Sequence, residues 1–284
     1  MYRHKNYHND IATLYLIPTP IGNLEDITLR AIRTIKEVDH LYAEDTRVSM
    51  KLLNHFGISK PLKSFHEHNQ SQASSEVLDI LERNESVGLI SDAGMPLLSD
   101  PGYELVQKAI ESGYNVVCLP GPSASLTGLL MSGMNPHPFV FYGFLDSKQQ
   151  KRLSQLEKLT YRTETLVFYE APHRISNLMK DLDQLFPNRN VVIAREISKN
   201  HEEILKGKPN ELMELEDLKG EMVVIVEGYK EEPANFDKIS LVEQVDYFIS
   251  AGLKKTEAMK KVAEMTSVPK NIIYQEYLEK TKKQ

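Results

Sequence analysis

Residues 87–102 read VGLISDAGMPLLSDPG, and the organisation of the whole chain is clearest in this stretch. Its first four residues predict a short buried strand that ends at an Asp-Ala-Gly turn. The carboxylate of Asp92 would then lie at the carboxyl end of a strand, where open α/β sheets bind their ligands. Asp100, followed by Pro101, predicts the N-cap of the next helix. A plain polar connection between a strand and a helix is the alternative interpretation.

The composition is that of a water-soluble globular protein, with 41% hydrophobic and 26% charged residues. The length of 284 residues favours two domains over one. The single cysteine, Cys118, excludes an internal disulfide framework and a thiolate metal cluster made by this chain alone, which predicts a reducing, cytoplasmic setting. No stretch approaches the roughly 20 apolar residues of a membrane span, and residues 1–11 are predicted to be a disordered tail.

The charge is unevenly distributed along the chain. The net charge of −6 argues weakly against a nucleic-acid partner, since phosphate binding requires lysine and arginine. Residues 251–284, however, hold eight lysines against four glutamates. This surplus indicates either a phosphate-facing element or a solvated lysine-rich tail.

Short apolar runs alternate with stretches of helical periodicity, which predicts α/β layering. The predicted strands are residues 14–17, 87–90, 116–119, 139–144, 165–169, 191–194 and 222–226. The predicted helices are residues 24–38, 72–81, 103–110, 123–131 and 175–185. The strands become closer and more aromatic after Pro138, which predicts two α/β domains at residues 12–120 and 121–230.

Residues 235–284 contain no strand-like run and predict three short helices, at 241–250, 256–265 and 269–280. The tight turn at 266–268 is compatible with a helix-turn-helix-like module. A plain helical element for dimerisation or docking is the alternative.

Several familiar site motifs are absent from the chain. It contains neither G-x-G-x-x-G nor G-x-x-x-x-G-K-[ST], and no H-E-x-x-H. His66 and His68 are spaced to share one face of a strand, but no further ligands stand at convincing spacing. We therefore predict no metal site and interpret both histidines as polar residues of a cleft or the surface.

Polar loops follow the apolar runs at five further places. They read PTPIGNL (18–24), AEDTR (43–47), PGPSA (120–124), YEAPHR (169–174) and AREISK (194–199). Asn23 is placed to cap a helix, as is Asp45 or Thr46, and such polar density on loops favours function. The last two loops place an acidic residue and a cation at a strand end, which predicts either ion pairs at the sheet edge or a substrate-binding cleft.

Taken together and in order, these stretches resemble one family. TPIGNLEDITLRA, AEDTR, ISDAGMPLLSDPG, PGPSA, FYEAPHR, AREISKNHEE and GEMVVIVEG closely resemble the ribosomal RNA small subunit methyltransferase I family, a branch of the tetrapyrrole methylase (class III S-adenosylmethionine-dependent) superfamily. The resemblance implies two α/β domains with S-adenosyl-L-methionine between them, followed by the helical module. It also implies a homodimer that 2'-O-methylates a cytidine in the decoding region of 16S ribosomal RNA, in the small ribosomal subunit.

The resemblance also implies the residues of the site. The donor-binding set is Pro20, Asp92, Ala93, Gly94, Met95, Ser99, Asp100, Ser123, Ala124, Tyr142, Gly143, Phe144 and Leu145. Beyond the resemblance, we hypothesise that the substrate is bound by Arg30, Arg47, His173, Arg174, Arg195 and Glu196. Methyl transfer requires alignment of a ribose oxygen with the methyl carbon and removal of its proton.

The base is sought among Asp45, Glu170, His173 and Glu196, of which Glu170 and Asp45 are favoured without a choice between them. Some methyltransferases lose the proton late and need no base. C-methylation of a tetrapyrrole and a non-catalytic RNA-binding module are the alternative functions.

Overall fold

The computed structural model describes residues 10–215, 218–230, 240–250 and 253–281. Contacts between Cα atoms divide the chain into two compact units. The first comprises residues up to 158 and 164–227, and the second comprises 159–163 and the residues from 228 onward. The predicted tail falls almost entirely on residues outside the described part. The predicted limits of the α/β domains and the helical module stay a prediction.

The first unit begins with a sheet of five parallel strands. They are β1 (Thr13–Ile17), β2 (His40–Ala43), β3 (Leu62–Ser64), β4 (Val87–Ile90) and β5 (Asn115–Cys118), in the order β3-β2-β4-β1-β5. Leu14 and Leu89 belong to one buried apolar cluster, and Ile17 and Ile90 to another. Burial on both faces explains why β4 reads as a continuous apolar run without alternation.

Helices connect these strands. They are α1 (Leu29–Glu37), α2 (Thr46–His55), α3 (Gln70–Glu82), α4 (Tyr103–Glu111) and, after β5, α5 (Ala124–Met131). The predicted helix at 24–38 is divided into a 3-10 turn capped by Asn23 and α1 capped by Thr28, because both side chains accept hydrogen bonds from backbone amides. Asp45 caps α2, one of the two caps predicted there, and Ser123 caps α5, for which no cap was predicted.

Two local predictions were wrong. Asp100 does not cap α4, since the N-cap residue is Gly102 with a φ of 123°. His66 and His68 do not lie on a strand, because β3 ends at Ser64 and both follow it in the turn before α3. Strands β2 and β3 themselves were absent from the predicted set because they are short and contain polar residues.

A second, mixed sheet completes the first unit. Its strands are β6 (Phe139–Phe144), β7 (Thr165–Glu170), β8 (Val191–Arg195), β9 (Glu203–Gly207) and β10 (Met222–Val226), in the order β6-β7-β10-β8-β9. Only β6 and β7 are parallel among these pairs. The associated helices are α6 (Gln149–Glu157), α7 (Ile175–Leu185) and α8 (Pro209–Met213). Strand β9 and helices α6 and α8 were not predicted.

The second unit contains α9 (Leu241–Ser250), α10 (Lys255–Thr266) and α11 (Lys270–Thr281). These bounds agree with the three predicted helices to within one residue at each end. Phe248, Met259 and Ile273, one from each helix, are buried in a common apolar cluster. Within the described residues of the chain, no helix is long and apolar enough to cross a membrane.

Candidate active site

A cavity of about 340 Å³ lies in the first unit, at the carboxyl end of β4. Its walls come from the loop after β4, from the start of α5 and from the ends of β6, β7 and β10. The lining residues are Ile21, Asp92, Ala93, Gly94, Met95, Leu98, Ser99, Asp100, Ser123, Ala124, Phe144, Tyr169, Glu170, Ala171, Pro172, Ile197, Glu221, Met222 and Val223. The two sheets therefore both contribute to this one site, which we name the main cavity.

The loop after β4, residues 91–101, is held by the loop after β1. Thr19 N donates to Gly94 O and Gly94 N donates to Thr19 O, each at 3.0 Å. Gly94 has a φ of 77°, a backbone conformation that favours glycine. Because the N–H of Gly94 is already paired with Thr19 O, this residue shapes the cavity wall and has no backbone donor to offer a ligand.

Ser91 organises the same loop from beneath. Its hydroxyl lies 2.7 Å from the Asp100 carboxylate and accepts from Ala93 N at 3.2 Å, while its carbonyl accepts from the Thr19 hydroxyl at 2.9 Å. Ser91 is buried, and it was not among the predicted site residues. These bonds explain why Asp100 turns inward and does not cap α4.

The carboxyl groups of Glu44, Asp92 and Asp100 are close together at this edge of the first sheet. Asp92 Oδ1 accepts from Asp45 N at 2.9 Å, which joins the ends of the neighbouring strands β4 and β2. Burial raises the pKa of Asp92 and of Asp100 above the usual value. Burial, followed by the charges of Asp100 and Asp92, raises the pKa of Glu44 to about 7. Such an edge favours a cationic ligand over an anionic one.

Glu170 is a buried carboxyl group at the end of β7, on the opposite wall. Its Oε1 accepts from Ala171 N at 2.9 Å and lies 3.1 Å from Arg174 Nε. Its Oε2 has no hydrogen-bond partner among the described residues. Burial raises the pKa of Glu170, against the opposing effects of the Ala171 amide and of Arg174. Oε2 is itself fully buried, so it is an unpaired acceptor that a substrate hydroxyl would reach only by displacing neighbouring groups.

Asp45 is more exposed than Glu170, and both of its carboxylate oxygens are paired. Its oxygens accept from Arg47 N at 2.8 Å, Arg47 Nε at 3.0 Å and Arg47 Nη2 at 2.6 Å. The hydrogen bonds from Arg47 lower the pKa of Asp45 to about 2, and the residue does not line the main cavity. Geometry and basicity therefore favour Glu170 over Asp45 as a base.

The predicted substrate-binding residues are mostly held in ion pairs. Arg174 donates to Leu145 O at 2.6 Å in addition to its contact with Glu170. Arg195 is paired with Glu203, and Glu196 with Lys199 at 2.9 Å. These contacts agree with the ion-pair interpretation of the two strand-end clusters.

The other three members of that set lie away from the main cavity. Arg47 is 87% exposed in its side chain, His173 is exposed in a 3-10 turn, and Arg30 is partly buried on α1. The Arg47 side chain is largely exposed while its guanidinium donates to Asp45, and it remains accessible to a large substrate.

Of the predicted donor-binding residues, nine line the main cavity. They are Asp92, Ala93, Gly94, Met95, Ser99, Asp100, Ser123, Ala124 and Phe144. Four do not line it, namely Pro20, Tyr142, Gly143 and Leu145. The missed lining residues are largely apolar, such as Ile21, Ile197 and Val223, and polarity on loops gave no signal for them. Like Tyr169 and Ala171, they stood within the quoted motifs, which were the one signal that could have found them.

Among the described residues, no group of three or more histidine, cysteine, aspartate or glutamate side chains is arranged to hold a metal ion.

Comparison with known proteins defines the class of this chain. The sequence model of the tetrapyrrole (corrin/porphyrin) methylases matches residues 13–213. The chain belongs to this family and is a methyltransferase. Solved structures of the same fold include a diphthine synthase, with 14% identity and a TM-score of 0.62 over 80% of this chain and 94% of that one. Another is the uroporphyrin-III C-methyltransferase of Thermus thermophilus complexed with S-adenosyl homocysteine, with 21% identity and a TM-score of 0.55 over 75% and 97%.

Much closer relatives place the chain within one branch of the family. It is 45% identical over 276 residues to the ribosomal RNA small subunit methyltransferase I of Halalkalibacterium halodurans, covering 95% of this chain and 96% of that protein. It is 40% identical over 280 residues to the protein of that name from Bacillus subtilis, covering 96% of each. The chain belongs to the ribosomal RNA small subunit methyltransferase I branch.

Proposed function

We propose that this chain transfers a methyl group from S-adenosyl-L-methionine to the 2'-hydroxyl of a cytidine in the decoding region of 16S ribosomal RNA. The identity of 40–45% to relatives named for ribosomal RNA methylation, along almost the whole chain, supports the RNA substrate. The single structural observation that carries the proposal is the main cavity, which is lined both by Glu170 and by the 91–101 loop. The proposed donor-binding loop and the proposed proton acceptor, Glu170, therefore line the same cavity.

The residues present fit the methyl donor. The main cavity is within the usual volume range of ligand sites, and four carboxyl groups line it: Asp92, Asp100, Glu170 and Glu221. Bound S-adenosyl-L-methionine supplies an electrophilic methyl group on a cationic sulfonium, and its amino group is also cationic. Carboxylates stabilise such cations, and the apolar lining residues exclude water from the reacting atoms. The donor is held by the nine predicted residues that line the main cavity.

Glu170 is the group that accepts the proton of the ribose hydroxyl, through Oε2. Ala171 N and Arg174 hold Oε1 and thereby orient the carboxylate. Arg174 also donates to Leu145 O, so the loop after β6 and the base are positioned by the same guanidinium. Alignment of the acceptor oxygen is the larger contribution that the chain makes to the rate.

The remaining predictions about the assembly belong to the same proposal. The partner is the small ribosomal subunit, and the active species is a homodimer located in the cytoplasm. Arg47 and the lysines of α10 and α11 contact the phosphates of the RNA, since the remainder of the chain is acidic.

The test is transfer of a labelled methyl group to intact small subunits, naked 16S RNA and uroporphyrinogen III, assayed side by side. We expect label on the 2'-oxygen of one cytidine. Label in a base carbon or in the porphyrin, or the absence of donor binding by calorimetry, would overturn the proposal.

A further inference from the structure

Strand β6 contains a bulge that changes which side chains face the site. In its parallel pairing with β7, Phe141 lies opposite Val167 and Phe144 opposite Tyr169, with a register shift between Phe141 and Gly143. Residues three apart on a regular strand face opposite sides. The extra residue of the bulge instead places Phe141 and Phe144 on one side, where both rings contact Tyr169 at centroid distances of 5.0 and 5.5 Å.

A second cavity, of about 490 Å³, adjoins the main cavity at this bulge. Its lining residues are Leu97, Leu98, Ser99, Phe141, Tyr142, Gly143 and Phe144. Leu98, Ser99 and Phe144 line both cavities. A molecule in the second cavity is therefore adjacent to a donor in the main cavity. We name the second one the β6 cavity.

The lining of the β6 cavity is neutral and aromatic. None of its seven lining residues is charged. Three of the lining side chains are partly open to solvent: Phe144 is 51% exposed, Leu98 41% and Tyr142 37%. Two of them present aromatic rings beside the main cavity. Exposed aromatic faces are the usual platform for an unstacked base, and a neutral lining selects a base over a phosphate.

The wall opposite the bulge is backbone held in an unusual conformation. Leu97 and Ser99 have φ values of 70° and 76°, in the left-handed region that non-glycine residues rarely adopt. Across from them, a Cβ on Gly143 would lie 3.2 Å from Ser99 Oγ. Gly143 has a φ of 76°, which glycine adopts without strain. The wall formed by Leu97 and Ser99 is therefore the strained one, and such strain clusters at functional sites.

We propose that the β6 cavity receives the pyrimidine base of the target nucleotide, stacked on Tyr142, while the attached ribose passes Phe144, which lines both cavities, and reaches the main cavity. This inference rests on the proposed function and assigns the base of the same substrate to a place distinct from the donor. Tyr142 is thereby a substrate residue, whereas the family resemblance implied a donor contact. Extrusion of the base from its stack would deliver the 2'-oxygen to Glu170.

The test compares Tyr142→Ala and Tyr142→Phe with a control, Tyr103→Ala. Tyr103 is 66% exposed on α4 and lines neither cavity. For each protein we would measure kcat and KM with small subunits that lack the methylation, the Kd of S-adenosyl-L-methionine by calorimetry, and the molecular mass in solution. Loss of one stacking ring is expected to lower kcat/KM for the subunits about tenfold or more in Tyr142→Ala. Tyr142→Phe, which keeps the ring, and Tyr103→Ala are expected to stay within about twofold, with the donor Kd unchanged in all three.

Three results would overturn the inference. The first is an unchanged kcat/KM in Tyr142→Ala. The second is a donor Kd in Tyr142→Ala that is weakened by the same factor as kcat/KM, which would show that Tyr142 contacts the donor. The third is a changed molecular mass, which would assign the bulge to a contact between two copies. A wild-type protein that binds donor but methylates no ribose would instead overturn the proposed function, and the base site with it.

Discussion

Replacement of Glu170 by glutamine removes the proposed base while preserving the size of the side chain. The carbonyl of a glutamine keeps an acceptor for Ala171 N, and Arg174 keeps its bond to Leu145 O at 2.6 Å. The local structure is therefore retained, whereas the ability to take a proton at Oε2 is lost. Because general-base catalysis contributes about 10²–10⁴-fold, we expect kcat to fall by that factor, equivalent to about 3–5 kcal/mol of transition-state stabilisation.

The assay is single-turnover methyl transfer to small subunits, with donor affinity measured separately by calorimetry. Asp45→Asn is the matched control, because Asp45 is the other carboxyl group considered as base and asparagine still caps α2. It is expected to change kcat less than threefold, since its carboxylate is already held by Arg47. Retention of more than a tenth of wild-type kcat in Glu170→Gln would refute a base at this position.

The pH dependence of the wild-type enzyme provides a second check on Glu170. Burial raises the pKa of this carboxyl group, and the base must be ionised to act. The rate is therefore expected to rise with pH through a midpoint above the usual glutamate value and to level off once Glu170 is ionised. Glu170→Gln should lack this limb, and a wild-type profile without it would contradict the assignment.

Three further predictions concern donor binding and the stability of the fold. Asp92→Asn should weaken binding of S-adenosyl-L-methionine about five- to tenfold in calorimetry, because a half-buried carboxylate beside a cationic donor is lost; an unchanged Kd would remove Asp92 from the donor site. Glu44, with a pKa of about 7, should strengthen donor binding about twofold between pH 6 and 8 as it ionises, and Glu44→Gln should abolish the change. Gly220→Ala should destabilise the protein in urea by about 1–3 kcal/mol more than Gly57→Ala, since both glycines have positive φ but only Gly220 would overlap a side chain, that of Glu196. Equal losses in the free energy of unfolding for the two variants would show that the Glu196 side chain moves aside to accommodate the new methyl group.

The sequence predicted the elements whose signals are local. Strand β4 was located to the residue, because a strand buried on both faces needs an uninterrupted apolar run. The caps at Asn23 and Asp45 were likewise predicted, since capping depends on a side chain and an amide two residues apart. The motif series was sufficient to predict the family and most of the residues that line the main cavity.

Tertiary structure alone decided which of these residues act together. Asp92 bonds to Asp45 N because β4 pairs with β2, and Asp100 turns toward Ser91 and leaves α4 uncapped. The choice between Glu170 and Asp45 depends on burial and on ion pairs that no spacing reveals.

The bulge in β6 was equally hidden from the sequence. Residues 139–144 read as a plain strand, yet the register against β7 places Phe144 at the cavities. Periodicity and capping report interactions within a few residues, and they predicted the loops of this protein. The distances that make those loops a site arise between residues far apart in the chain, and only packing of the two sheets determines them.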